Sequence, residues 1–154
     1  MRWFSLFFWI VLCLTVGFLS GRWTAAEIPA WYRTLQRPAI APRNWVFAPV
    51  WTTLYILMAV AAWLVWQSTP SRLRTVGLFL FLLQLALNFA WSLIFFRFHA
   101  IGAAFVEVLA LWATVGASVL IFARVSPTAA WLLAPYLAWV TFAAILNGLF
   151  WRLN

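Results

Sequence analysis

The sequence contains no lysine and no aspartate, and only 8% of its residues carry a charge. Without lysine, a phosphate-binding loop and a Schiff-base site for retinal or pyridoxal phosphate are excluded. Without aspartate, aspartate-based metal and phosphoryl-transfer sites are excluded as well. One histidine, His99, and one cysteine, Cys13, cannot form a zinc site, a disulfide or a complete Cys–His nucleophile system. We therefore expect no metal site, no required cofactor and no ordinary acid–base catalytic site.

Apolar residues, in contrast, make up 68% of the chain, and 20% of the residues are aromatic. Soluble domains contain about 45–50% apolar and about 25% charged residues. A chain of this composition has too few charges to cover a surface in water, whereas a surface that faces lipid needs none. The composition predicts an integral, multi-pass membrane protein with lipid as its surroundings.

The positions of the arginines indicate how often the chain crosses the bilayer. Long intervals without arginine lie between residues 2 and 22, 43 and 72, 74 and 97, 97 and 124, and 124 and 152. A helix needs roughly 20 apolar residues to cross the hydrocarbon core, and an arginine at its centre is costly. We therefore predict a single all-α domain, a bundle of five transmembrane helices with spans near residues 3–20, 46–66, 76–96, 101–122 and 128–150.

Two details concern the ends of these spans. Thr69-Pro70 and Ser126-Pro127 each place a capping hydroxyl before a proline, which predicts the starts of the third and fifth helices. The first span could instead be a cleaved signal peptide, but its apolar run is longer than usual and lacks a clear cleavage site, which favours a retained helix. The arginine distribution slightly favours a cytoplasmic C-terminus.

The first connection, residues 21–44, is the only long one. Helix–helix links usually contain two to eight residues, and longer ordered loops are commonly lids or binding loops. Trp31, Tyr32 and Leu35 could form one apolar face of a single helical turn that presses on the bundle. We favour a lid over a surface loop that rests on lipid headgroups.

Three of the spans carry stripes of aromatic and polar side chains at helical spacing. The stripes consist of Trp51, Tyr55 and Met58 in the second span, Gln84, Asn88 and Trp91 in the third, and Tyr136, Trp139, Ala143 and Asn147 in the fifth. Polar side chains inside a span usually point inward. The stripes could be interhelical packing alone, but amides among large flat side chains also suit a pocket for a flat, mostly apolar ligand.

The remaining polar residues offer weaker functional hypotheses. Glu107 is the only acid within a span, and it is either a proton-coupling carboxylate of a transporter or, as we favour, a structural acid. His99 is expected to be a solvated interfacial side chain rather than a haem ligand. Cys13 is expected to be a small core residue.

Six ordered segments of this sequence resemble the TspO/MBR family of tryptophan-rich sensory and translocator proteins, including the peripheral benzodiazepine receptor. They are WYRTLQRP (31–38), WVF (45–47), WTTLY (51–55), QLALNFAW (84–91), VSPTAAWLLAPYLAWVTF (125–142) and LNGLFWR (146–152). The segments cover nearly all of the chain after residue 30, in the family's order and spacing.

The resemblance implies a five-helix bundle, commonly a homodimer, with a pocket under the first loop. It implies ligands such as protoporphyrin IX, haem-like tetrapyrroles and other flat hydrophobic molecules, a receptor or transport role, and a bacterial membrane, with no nucleic-acid partner. Some family members are described as degrading porphyrin in light, which would implicate Trp51 and Trp139. The family's pocket positions fall on Trp31, Tyr32, Trp51, Asn88, Trp91, Trp139 and Ala143.

Residue stripes and resemblance together give the predicted ligand-binding set. It consists of Trp31, Tyr32, Trp51, Tyr55, Gln84, Asn88, Trp91, Trp139 and Ala143. Arg37 and Arg43 in the loop are candidates for pairing with porphyrin propionates. The chain departs from the family pattern at Ile40 and Arg43, where tryptophan and proline are usual. Gly148 replaces the tyrosine of the sterol motif, so we do not predict a sterol ligand.

Overall fold

Five long helices account for most of the fold. The computed structural model describes residues 2–154, and that range is helical without strands. The helices are α1 (Arg2–Glu27), α2 (Phe47–Gln67), α3 (Arg72–Ser92), α4 (Ile101–Val125) and α5 (Pro127–Leu153). Each of the five is long and apolar enough to cross a membrane. The predicted all-α bundle of five spans is confirmed, and the chain is an integral multi-pass membrane protein.

The first helix is longer than predicted, and the first connection is correspondingly shorter. α1 continues to Glu27, so the loop covers residues 28–43 instead of 21–44. The prediction ended the span before Arg22 because arginine is costly in the hydrocarbon core. An arginine near the interface does not stop a helix. The first residue after Arg22 that stops α1 is Pro29. The helix therefore projects beyond the hydrocarbon before the loop begins.

The two predicted helix starts have different outcomes. Ser126 caps α5, accepting a hydrogen bond from the Ala129 amide, and Pro127 is the first helical residue, as predicted. In the third helix the cap is Ser71, which accepts from the Arg74 amide, so the assignment to Thr69 is wrong. Ser71 is the better cap because a side chain must reach an amide two or three residues further along.

The bundle core is formed by small and aromatic side chains from all five helices. Ala59, Ala61 and Ala62 of α2 are fully buried and permit close helix packing, while Phe81 and Phe122 stack between α3 and α4. α1 packs against this core through buried side chains, including Trp9 and Cys13. Its integration favours the retained helix over a cleaved signal peptide, and Cys13 is a core residue as predicted.

The antiparallel course of the helices gives the bundle two ends. We call the end that carries residues 28–43, the α3–α4 link and the C-terminus the loop end, and the opposite end the turn end. At the turn end α1 and α2 are tied by side chains. Trp63 Nε1 donates to the Arg2 carbonyl (3.2 Å), and Gln67 Nε2 donates to Ser5 Oγ (2.9 Å).

The first loop lies on the bundle through a single short 3-10 turn, Tyr32–Thr34. Tyr32 is buried against the rings of Phe95, Phe96 and Phe150. Trp31 and Leu35 are partly buried against the same cluster, which confirms the predicted apolar face of a helical turn. Packing of this face fixes the loop above the ends of α3 and α5.

Two further contacts fasten the loop end. Glu27 pairs with His99 (3.1 Å), whose ring stacks on Trp31 with 4.1 Å between centroids. At the far side, the Gln36 amide donates to Asn154 Oδ1 (2.8 Å), and Asn154 Nδ2 donates to the Gln36 carbonyl (3.1 Å). His99 thus stays exposed at the loop end, as expected of an interfacial side chain, while its ring contacts Glu27 and Trp31.

Candidate functional site

A cavity of about 470 Å³ lies at the loop end of the bundle. This volume is within the usual range of small-molecule sites. Its walls come from α1, α2, α3 with the turn that follows it, and α5, and the loop residue Tyr32 closes it from above. Among residues 2–154, α4 contributes nothing to the wall. The cavity is therefore bordered by four of the five helices.

Three indoles and several phenyl rings form most of the wall. The ring of Trp51 meets that of Trp139 edge-on, with 6.4 Å between centroids. Trp91 stacks on Phe95 at 5.3 Å. Phe95 follows α3 in a single π-helical turn, residues Leu93–Arg97, whose wider coil moves the side chains relative to a regular helix. The cavity thus presents flat apolar faces on several sides.

A buried amide joins three helices behind these rings. The Tyr55 hydroxyl donates to Asn88 Oδ1, and Asn88 Nδ2 donates to the Tyr136 hydroxyl (2.9 Å). Asn88 also borders the cavity, and only 2% of its surface is exposed. Its oxygen and nitrogen both have protein partners, so the amide fixes α2, α3 and α5 relative to one another.

A second amide fixes the orientation of an indole on the wall. Asn147 accepts from Trp91 Nε1 (3.0 Å) and donates through Nδ2 to the Ile101 carbonyl (3.0 Å). The indole of Trp91 is therefore held by α5, and α5 is held by the start of α4. Rings positioned in this way do not need to be ordered by a ligand.

Two hydroxyls on the cavity wall have no hydrogen-bond partner within residues 2–154. They are Ser20 Oγ of α1 and the Tyr32 hydroxyl of the loop. Both residues are more than nine-tenths buried. Burial raises the pKa of Tyr32, and the nearby Arg37 opposes that shift. A protonated phenol and a serine are thus two buried free donors of this cavity, and buried polar groups usually have partners.

The structure brings together most of the predicted ligand-binding residues. Seven line the cavity: Tyr32, Trp51, Tyr55, Asn88, Trp91, Trp139 and Ala143. Gln84 lies one turn from Asn88 toward the turn end, where its Nε2 contacts the sulfur of Met58 (3.8 Å). Trp31 packs between Phe95 and His99, beside the cavity wall. These two residues do not border the cavity.

The two predicted propionate partners lie in the loop outside the cavity wall. The guanidinium of Arg37 is 5.4 Å from the ring centroid of Tyr32 and donates to the Pro42 carbonyl (2.8 Å). Arg43 is exposed at the end of the loop. Their pairing with a ligand stays a prediction, and Arg37 is the better placed because Tyr32 connects it to the cavity.

Sequence reasoning missed several wall residues. They include Ser20, Thr24 and Phe18 of α1, Phe47 of α2, Phe95 and Phe96 after α3, and Phe142, Asn147 and Phe150 of α5. Asn147 was on a predicted stripe but was not assigned to the site. α1 gave no signal because it is apolar on nearly every face, so no periodicity marks its inner side.

No charged side chain lines the cavity among the described residues. Glu107 lies on α4, and its two carboxyl oxygens are buried without a hydrogen-bond partner in residues 2–154. This carboxyl does not contact the cavity. The same range contains no group of three or more His, Cys, Asp or Glu side chains that could hold a metal ion.

Comparison with known proteins agrees with this architecture. Residues 9–152 match the TspO/MBR family. The chain is 41% identical over 140 residues to the translocator protein of Ovis aries, covering 90% of this chain and 83% of that protein. It is also 41% identical over 146 residues to the tryptophan-rich protein TspO of Chlorobaculum tepidum, covering 94% and 92%. This five-helix membrane protein matches the family over nearly its whole length, and the chain therefore belongs to the TspO/MBR family.

Proposed function

We propose that this protein is a membrane receptor for tetrapyrroles such as protoporphyrin IX and for similar flat hydrophobic molecules. The observation that carries the proposal is the cavity of about 470 Å³ with Trp51, Trp91 and Trp139 on its wall. Offset or edge-on contact with each ring adds about 0.5–1.5 kcal/mol beyond area burial. A flat macrocycle uses such contacts better than a bulky aliphatic ligand does.

The free hydroxyls give the proposed ligand its polar contacts. Ser20 and Tyr32 line the cavity without protein partners, so a ligand acceptor within reach would satisfy them. The absence of charge on the wall favours the uncharged macrocycle inside, with its carboxylates toward the arginine-bearing loop end. Arg37, beside Tyr32, is the proposed partner of one carboxylate.

In this proposal residues 28–43 act as the lid. The turn Tyr32–Thr34 covers the cavity, and the Glu27–His99 and Gln36–Asn154 contacts hold the loop at both sides. These contacts join the end of α1 to the α3–α4 link through His99, and the loop to the residue after α5, Asn154.

A protoporphyrin titration tests the proposal. We expect saturable quenching of tryptophan fluorescence, with affinity for Trp139→Phe reduced about 2- to 10-fold, the value of one aromatic contact. The matched control is Trp45→Phe, because Trp45 is 70% exposed and does not line the cavity. Non-saturable quenching that is unchanged in Trp139→Phe and Asn88→Leu would contradict a specific site.

Light-dependent porphyrin degradation is a second candidate, favoured by one observation. Trp51 and Trp139, the two indoles implicated by the family resemblance, meet edge-on at 6.4 Å on the cavity wall. An excited macrocycle packed against this pair could take an electron from either indole, and molecular oxygen would be the oxidant that completes the cleavage of the macrocycle. Illumination of the complex decides this point. The enzyme is favoured if the wild-type complex loses Soret absorbance faster than free porphyrin in the same detergent, and if the Trp51→Phe complex loses it more slowly than the wild type. Equal loss in all three samples would reject it.

A further inference from the structure

The cavity has one side that the protein covers only partly. This side lies between α1 and α2. Six of its wall residues are also exposed on the outer surface of the bundle. One is Asn44, between the first loop and α2. The others are Phe18, Gly21 and Ala25 of α1 and Ala48 and Thr52 of α2, and we call these five the side slot. On α3 and the last turns of α5, wall residues such as Asn88 and Phe150 are buried, and Trp91 is partly buried.

The contacts between α1 and α2 differ along the two helices. The two side-chain hydrogen bonds between these helices, Trp63 to Arg2 and Gln67 to Ser5, both lie at the turn end. The helices also touch at Gly17, where an added Cβ would lie 2.6 Å from the ring of Tyr55. One turn further, an added Cβ at Gly21 would meet nothing within 4 Å. Free space therefore lies beside Gly21, on the loop-end side of the Gly17–Tyr55 contact.

The slot spans the boundary of the hydrocarbon at the loop end. α1 projects beyond the hydrocarbon, and Ala25 lies two residues before its end. Gly21 is six residues before that end, or about 9 Å along the helix axis, and Phe18 is about 14 Å from it. The slot residues are uncharged, and four of the five are apolar. A molecule dissolved in the hydrocarbon would therefore enter at the level of Phe18 and Gly21, between uncharged side chains.

The loop end, by comparison, is covered by the first loop, with Asn44 exposed where the loop ends. Tyr32 is buried in the Phe95, Phe96 and Phe150 cluster. The Trp31–His99 and Gln36–Asn154 contacts hold the loop on either side of it. Access from water would require several of these contacts to break together. Access through the slot requires only a rotation of exposed side chains such as Phe18, 68% of which is exposed.

We propose that flat apolar molecules reach the cavity sideways from the bilayer, through the slot between α1 and α2, with Gly21 keeping the passage open. The inference deepens the proposed function, because it names the ligand pool as molecules dissolved in lipid. The cavity would then select for solutes that partition into the membrane before binding.

A flat reagent that reacts inside the cavity tests this route without porphyrin. In a Cys13→Ala background, Ala143→Cys places one thiol on the wall opposite the slot helices. N-pyrenylmaleimide, added to proteoliposomes, partitions into lipid and labels that thiol. Gly21→Trp should lower the labelling rate at least about tenfold, because a gate that must open limits access.

The chain offers a matched control for the bulk of the new indole. Gly116 on α4 is the other glycine whose added Cβ would meet nothing within 4 Å, and it does not border the cavity. Gly116→Trp should leave the labelling rate within about twofold, as expected for a distant independent site. Thr52→Trp narrows the slot from α2 and gives a second measurement if Gly21→Trp does not fold.

The outcomes separate the two routes. Slower labelling with a tryptophan in the slot, and an unchanged rate with Asn154→Ala, supports sideways access. An unchanged rate with both slot variants, or faster labelling when Asn154→Ala loosens the loop, overturns it in favour of access past the loop. Because the reagent replaces porphyrin, a failed porphyrin titration would reject the proposed ligand class and leave this result standing.

Discussion

At the scale of single residues, Asn88 is a buried amide whose oxygen and nitrogen both bond to side chains of other helices. It is buried near mid-span, accepts from the Tyr55 hydroxyl and donates to the Tyr136 hydroxyl. A leucine of similar size would remove both bonds and leave two phenols without partners in an apolar region. The cost of such orphaned groups exceeds the small net gain of an average hydrogen bond.

We predict that Asn88→Leu lowers the free energy of unfolding by about 1–3 kcal/mol, at the lower end if lipid or water partners relieve the phenols. A denaturation titration in a fixed detergent measures the change. Porphyrin affinity should fall as well, since the amide holds Tyr55 of the cavity wall in place.

Gln84→Leu is the matched control, four residues earlier on the same helix. Gln84 is equally buried, but its Oε1 has no partner in residues 2–154 and its Nε2 contacts only the Met58 sulfur. Leucine there should be neutral or stabilising. Equal destabilisation by both substitutions would show that α3 tolerates no loss of an amide, and would contradict the role given to Asn88.

The comparison of Gln84 with Asn88 shows how far the sequence could identify the site. Both amides lie on one helical stripe, and spacing alone cannot show that the cavity ends between them. That boundary is set by Met58, a side chain of another helix. Likewise, adjacent Trp31 and Tyr32 both pack on Phe95, but only Tyr32 reaches the cavity wall, which depends on the tertiary packing of the 3-10 turn.

At the scale of elements, the first loop is held by side chains distant in sequence. The backbone of Gln36 exchanges two hydrogen bonds with the Asn154 amide, 118 positions away. The C-terminal residue of the chain therefore takes part in closing the loop end. The length of the loop was overestimated from the sequence, because an arginine was used to end a helix that only Pro29 ends.

We predict that Asn154→Ala loosens the loop and leaves the bundle intact. Loss of both bonds should raise hydrogen exchange across residues 28–43 by about fivefold or more, with exchange in α3 and α4 unchanged. Hydrogen-exchange mass spectrometry measures both regions at once.

Asn154→Asp provides the graded control for this substitution. Aspartate keeps an acceptor for the Gln36 amide but loses the donor to the Gln36 carbonyl, so an intermediate exchange rate is expected. Exchange that is identical in the wild type and Asn154→Ala would show that the aromatic packing of Tyr32 alone fixes the loop.

At the scale of the whole molecule, the cavity and the single membrane acid are separate. Glu107 lies on α4, which contributes nothing to the cavity wall in residues 2–154. Its carboxyl oxygens are buried and have no partner there. A transporter that couples ligand movement to this acid would need a connection that these contacts do not provide.

We therefore predict that Glu107→Gln changes the dissociation constant for protoporphyrin by less than about twofold, as for distant independent sites. Porphyrin flux into proteoliposomes, if present, should be unaffected by the substitution or by a proton gradient. Fluorescence titration and a flux assay on the same preparation check both statements. Proton-dependent flux that disappears in Glu107→Gln would instead favour the transporter.

The number of helices and the membrane environment followed from composition and arginine spacing, because lipid imposes simple rules on both. The packing of α1 against α2 could not be predicted from the sequence, because it depends on where two uniformly apolar helices stop touching. The homodimer implied by the family resemblance stays a prediction at this scale.

The ties between α1 and α2 at the turn end have a mechanical consequence for the membrane around the protein. Because Trp63 and Gln67 join the two helices within one leaflet only, the opposite leaflet surrounds their untied halves. Crowding of acyl chains in that leaflet would press these halves together, while looser chain packing would let them spread. The lipid composition of a single monolayer would thus set how fast the cavity exchanges its contents.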